Sequence, residues 1–91
     1  MTEIVRDNPA RHRFELELEG ETAFTEYTLA PGVITFVHTE VPTALGGRGV
    51  ASRLIKGALD QVRARGLKVV AKCPFVAAFI AKHADYRDLL V

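Results

Sequence analysis

A chain of 91 residues, 48% hydrophobic and 25% charged, holds one folded domain: long enough for one core, too short for two, and too apolar for disorder. No apolar run approaches the roughly 20 residues of a membrane span, and Met1 to Pro9 contains no signal-peptide core, so the cytoplasm is the expected compartment. The formal net charge is +1, yet residues 1 to 45 carry eight acids against three bases and residues 46 to 91 nine bases against three acids. That asymmetry suits a polyanionic ligand at one end of the fold, or only a clustering of charge by element. It lacks the dense basic stripe with aromatics that nucleic acid requires. One cysteine, Cys73, excludes an internal disulfide, and three scattered histidines with one thiol have no metal-ligand spacing.

Residues 1 to 11 form a polar lead-in that either frays or adds an edge strand. His12 to Glu19 alternates, with Phe14, Leu16 and Leu18 on one face and Glu15, Glu17 and Glu19 on the other, which predicts a half-buried strand. Gly20 marks a tight turn, and Thr22 to Leu29 is the antiparallel partner. After Ala30-Pro31-Gly32, Val33 to Val41 is the strongest strand signal. Strict alternation puts Val33, Thr35, Val37, Thr39 and Val41 on one face and Ile34, Phe36, His38 and Glu40 on the other. Pro42 stops it. From Val50 to Arg65 the period becomes helical, with Val50, Leu54, Ala58 and Val62 in one apolar row and Arg53, Lys56, Asp60, Gln61 and Arg63 on the wet side. Gly66 closes that helix. Leu67 to Ala71 is a short strand whose helical connection favours parallel pairing with the third. Pro74 suits a first helical position, making Cys73 the N-cap of a second helix to about His83; Phe75, Phe79 and Ile80 read as core, and Tyr86 to Val91 as a short tail. The expected fold class is α/β (α+β), order β-β-β-α-β-α. An antiparallel meander plus one parallel strand pair carries helices packed on the sheet, in a single domain spanning 1–91.

Chemistry concentrates between the third strand and the first helix. Gly46, Gly47 and Gly49 surround Arg48 where a strand gives way to a helix. Such a loop lets backbone approach an anion while first-turn N–H groups point at it; it can equally be an ordinary connection with a surface arginine. No Gly-Lys-Ser/Thr makes it a P-loop, and it fails the dinucleotide fingerprint. The element order sets this loop and Cys73 at the same end of the sheet. Cys73, at a helix N-terminus beside Lys72, is either a nucleophile or proton donor, or a small buried core residue. His38 is either a general base, with Glu40 orienting it or binding an amine, or a structural histidine with a rim carboxylate. Tyr86 reads as a packing residue.

Gly47-Arg48-Gly49-Val50-Ala51 resembles the main motif of the GNAT acyl-CoA N-acetyltransferase superfamily, although Gly46 stands where the motif has Arg or Gln. A closer resemblance, from about residue 6 to the C-terminus, is to its minimal YjdJ-type branch. It rests on His38-Thr-Glu-Val41, Gly47-Arg-Gly-Val-Ala51, Val69-Val70, Cys73-Pro-Phe-Val76 and Lys82-His-Ala-Asp-Tyr-Arg87, with Ala71-Lys72 replacing a more usual proline-containing dipeptide. The resemblance implies a minimal GNAT-like fold without the N-terminal helices and last strands that help build an acceptor pocket. It implies acetyl-CoA (coenzyme A) as cofactor: Gly46, Gly47, Arg48, Gly49, Val50 and Ala51 at the pyrophosphate, Val41 and Leu45 along the pantetheine arm, Arg53 supplying charge, and Pro74 beside the cofactor. His38, Glu40 and Cys73 are then the catalytic candidates near the acetyl thioester. The implied activity is N-acetyl transfer to an unidentified amine, small molecule or protein, directly or through an acetyl-cysteine. The missing acceptor scaffold keeps open a non-catalytic acetyl-CoA sensor or protein-interaction module; membrane and nucleic-acid partners are not expected.

Overall fold

In the computed structural model, which describes residues 4–46 and 49–91, the alternation of the N-terminal half becomes a sheet with one dry face. The strands are β1 (Val5–Asn8), β2 (Arg13–Leu18), β3 (Glu21–Ala30), β4 (Val33–Glu40) and β5 (Lys68–Ala71), lying in that order. The pairings from β1 to β4 are antiparallel and β4–β5 is parallel. Helix α1 (Val50–Ala64) makes the crossover between the parallel pair, and α2 (Pro74–Lys82) follows β5. The lead-in does add an edge strand, β1, before a 3₁₀ turn at Pro9–Arg11.

Phe14, Leu16, Ala23, Tyr27, Ile34, Phe36 and Val69 of the sheet form one core with Leu54, Ile55, Ala58, Leu59 and Val62 of α1 and Val76, Phe79 and Ile80 of α2. Both helices therefore cover the same face, in two layers. The other face is open and carries Arg13, Glu15, Glu17, Phe24 and Glu26, partly or fully exposed. Among the described residues no helix is long and apolar enough to cross a membrane.

One departure from strict alternation matters most. β3 and β4 pair from Ala30↔Val33 to Tyr27↔Phe36, then resume at Glu26↔His38, so Val37 is an extra residue on β4. The extra residue exchanges the two faces. Ile34 and Phe36 point into the core, but beyond Val37 it is Thr39 that is buried while His38 and Glu40 are exposed. Simple alternation had placed His38 and Glu40 on the face of Phe36; the bulge corrects that, although the two still share a side.

The chain ends pack on α1. Gln61 Nε2 donates to the Val5 carbonyl at 2.7 Å, while Arg65 Nη2 and Tyr27 Oη reach the two carboxylate oxygens of Asp7 at 2.8 and 2.6 Å. The tail forms a 3₁₀ segment, Ala84–Leu89, ending in a parallel bridge from Leu90 to Val69. Arg63 holds Asp88 with two hydrogen bonds of 2.7 and 3.0 Å. Burial first, then the bond to Asp7, pushes the Tyr27 phenol up to about 12; the Tyr86 phenol is also raised, by burial and then by its bond to Asp60.

Gly57 sits where α1 meets β1, and a Cβ there would lie 2.7 Å from Val5 Cβ. Gly57→Ala is expected to lower stability in urea unfolding: overpacking against a stiff β-branched side chain costs about 1–3 kcal/mol, against an alanine helix gain of at most about 1 kcal/mol. Val5→Ala in the same chain should restore only part of the loss, because it removes the γ-methyl contacts and keeps the Cβ. The folded state also holds the Tyr27 proton more tightly than the unfolded chain, where a phenol titrates near 10. That contribution is whole below pH of about 10 and is lost as pH rises toward about 12. Urea midpoints measured across this window should fall, and Tyr27→Phe should flatten the fall.

Candidate functional site

The parallel pairing of β4 with β5 runs from Val33↔Lys68 to Phe36↔Ala71 and stops. The Phe36 carbonyl accepts the N–H groups of both Lys72 (3.0 Å) and Cys73 (2.9 Å), which turns the chain off the sheet into α2. β4 continues through its bulge to Glu40 paired with β3, so the two parallel strands fork. Cys73 sits at the fork as the N-cap of α2, with Pro74 in the first turn. Its side chain makes no cap bond. Instead Sγ lies 3.1 Å from Thr39 Oγ1, which in turn is 2.8 Å from Thr25 Oγ1. All three are buried, at 1%, 6% and 0% exposure.

The same end of the sheet carries the start of α1. Pro42 leads from β4 into a 3₁₀ turn, Thr43–Leu45, closed by Leu45 N–H to the Pro42 carbonyl (2.9 Å) and Gly46 N–H to the Thr43 carbonyl (3.0 Å). Leu45 anchors this turn in the core, and Val41 packs half-buried against it. The expected pyrophosphate residues Gly47 and Arg48 lie outside the described residues. Gly49 then N-caps α1 in the left-handed region, at φ 69°, a conformation costly for any residue with a Cβ. Among the described residues no side-chain hydrogen bond caps the helix. The Gly49 carbonyl receives Arg53 N–H at 3.2 Å as the first rung, which leaves the N–H groups of Val50, Ala51 and Ser52 without intrahelical acceptors. Those donors and the positive end of the helix dipole fit a pyrophosphate. Arg53 lies one turn in and is exposed.

His38 and Glu40 are elsewhere. Both project from the open face, where His38 meets Phe24 edge-on with ring centroids 6.3 Å apart and Glu40 pairs with Phe24 across the strands. Arg13 lies 4.3 Å above the same ring and is bonded to Glu15 at 2.6 Å. The structure thus joins Cys73 to Thr39 and Thr25, and leaves His38 and Glu40 on the opposite side of β4. Sequence reasoning passed over both threonines, because a threonine in a β-branched run reads as a strand former. The signal that singles them out, an inward hydroxyl on each of two neighbouring strands, exists only once the register is known. Tyr86 is a packing residue: its hydroxyl donates to Asp60 Oδ1 at 2.6 Å and its ring lies against Phe79.

Comparison with known proteins bears on this arrangement. The model of the family described as GCN5-related N-acetyl-transferase matches residues 13–89. Protein NATD1 of Mus musculus is 31% identical over 83 residues, covering 87% of this chain and 74% of the relative. Protein NATD1 of Danio rerio is 29% identical over 93 residues, covering 96% and 84%. The solution structure of a GCN5-like protein from Staphylococcus aureus superposes with a TM-score of 0.72 at 27% identity, covering 96% of this chain and 86% of that one. The family match begins at β2 and ends in the last 3₁₀ segment, so it takes in the β4–β5 fork and the α1 N-terminus alike. On that match the chain belongs to the GCN5-related N-acetyltransferase family.

Proposed function

We propose that the protein binds acetyl-CoA and transfers its acetyl group to an amine. The observation that carries this reading is the parting of β4 from β5 beside an uncapped helix N-terminus. A fork between parallel strands gives an extended amide-bearing arm a backbone edge to lie along. Val41 and Leu45 border that edge, while Gly46, Gly47, Arg48, Gly49, Val50 and Ala51 take the pyrophosphate and Arg53 adds charge. Pro74, in the first turn of α2, flanks the thioester end. Acetyl-CoA brings an activated acyl group, and Cys73 at the fork is the side chain placed to meet it, as nucleophile or as proton donor to the departing CoA sulfur.

Along the nucleophilic route, Cys73 Sγ bonds to the acetyl carbon as the carbon–sulfur bond to CoA breaks. The proton lost by Cys73 ends on the CoA sulfur, so the exchange is neutral. His38 and Glu40 serve the acceptor from the open face: Glu40 attracts an ammonium group and His38 takes its proton. A specific observation favours a second reading, that of a CoA sensor without turnover: Cys73 and His38 stand on opposite sides of β4.

Intact-protein mass after incubation with acetyl-CoA, with a CoA-binding titration alongside, tests the reading. The expected result is one acetyl group on the wild type, none on Cys73→Ala, and CoA binding by both. Absence of CoA binding overturns it. Binding without an adduct shifts the route to direct attack by the acceptor, and binding without turnover on amine and peptide panels shifts it to the sensor. With an accepted amine in hand, His38→Ala should bind CoA normally and lose transfer by about 100-fold or more.

A further inference from the structure

We infer that Thr39 and Thr25 are positioning residues for Cys73, forming a buried hydroxyl relay whose direction is set by the state of the sulfur; this rests on the acyl-transfer reading above. Thr39 Oγ1 is shared between Thr25 Oγ1 at 2.8 Å and Cys73 Sγ at 3.1 Å, and in both contacts either atom can donate. The protons decide which does. A thiol can donate to Thr39, with Thr39 donating on to Thr25, or the chain can run the other way. A thiolate has no proton to give. It accepts from Thr39, whose own oxygen then accepts from Thr25. A thioester sulfur or its carbonyl is likewise an acceptor only. One arrangement therefore serves the charged and acylated states, and it needs both hydroxyls.

This matters because the site is dry. With 1% exposure, Cys73 has little water to stabilise its anion. A hydrogen bond to an ionised partner is about twice as strong as a neutral one, and bonding to the charged form favours that form. Among the described residues, the charged groups on the elements near Cys73 include exposed ones only: Lys72 in the chain before it, His38 and Glu40 on the open face of β4, Lys68 of β5, which bonds the Asp88 carbonyl, and Arg53 and Lys56 of α1. The first turn of α2 holds no acid. What α2 adds is its N-terminal dipole, at whose N-cap position Cys73 sits.

Because the chain has one cysteine, the ultraviolet absorbance of the thiolate, taken as a difference against Cys73→Ala to remove the tyrosines, reports Cys73 alone. In the free protein, Thr39→Val keeps the shape and removes the hydroxyl; the midpoint of thiolate formation should rise by about one pH unit or more. Thr39→Ser should restore the wild-type midpoint. Thr25→Val leaves the Thr39–Cys73 contact in place and should raise the midpoint by less. Near neutral pH the same variants should take up acetyl from acetyl-CoA more slowly, by about tenfold for Thr39→Val, following the loss of thiolate. A folded Thr39→Val with an unmoved midpoint overturns the relay, leaving the hydroxyls as mutual partners in the core. Should Thr39→Val fail to fold, an unmoved midpoint in Thr25→Val overturns it equally. A shifted midpoint in a protein that binds no CoA supports the relay and refutes the acyl-transfer reading, so the two failures are distinguishable.

Discussion

The single extra residue in β4 governs what this sheet can do. Without the bulge at Val37, His38 and Glu40 would point into the core beneath the helices and Thr39 would face solvent. A buried, unpaired carboxylate costs several kcal/mol, so the sequence is compatible with the sheet only if the alternation breaks there. The break does more than rescue Glu40. It brings a hydroxyl to Cys73, and it coincides with the point where β4 leaves β5, since the pairing of the parallel strands ends at Phe36. Bulges bend a strand and re-aim its side chains, and here the re-aimed side chains are His38, Thr39 and Glu40.

Stability and site divide along α1. Among the described residues no side chain caps its N-terminal turn. Its C-terminal half is tied down by Gln61 to β1, by Arg65 to Asp7, and by Asp60 and Arg63 to the tail. The two ion pairs among them, Arg65–Asp7 and Arg63–Asp88, are worth little as exposed pairs, about 0–1 kcal/mol each, and serve to position elements that the core already holds. The close approach at Gly57 belongs to the same division: β1 can lie against α1 because no Cβ intervenes.

A helical layer on one side makes this a two-layer form of the fold, with β1 through β4 presenting an uncovered face. On that face Phe24, His38, Glu26 and Glu40 stand in neighbouring rows across β3 and β4. Cys73 and Thr39 lie on the covered side of β4, and His38 and Glu40 on the open one.

By itself the sequence determined the element order from β2 to α2, leaving β1 open, together with the parallel strand pair and the placing of Gly49 and Cys73 at one end of the sheet. These follow from local signals: period two giving way to period 3.6, Pro42 and Pro74 as boundaries, and the handedness of a strand–helix–strand crossover. The motifs at His38–Val41 and Cys73–Val76 were legible for the same reason, since each is a run of neighbours. Only the tertiary structure decided which side of β4 each residue serves. That depends on the register between β3 and β4, where the same β-branched residues accept a bulge at any of several positions and burial across the whole face selects one. The threonine relay depends in turn on that choice, because it joins positions on β3, β4 and the N-cap of α2 that no sequence spacing connects.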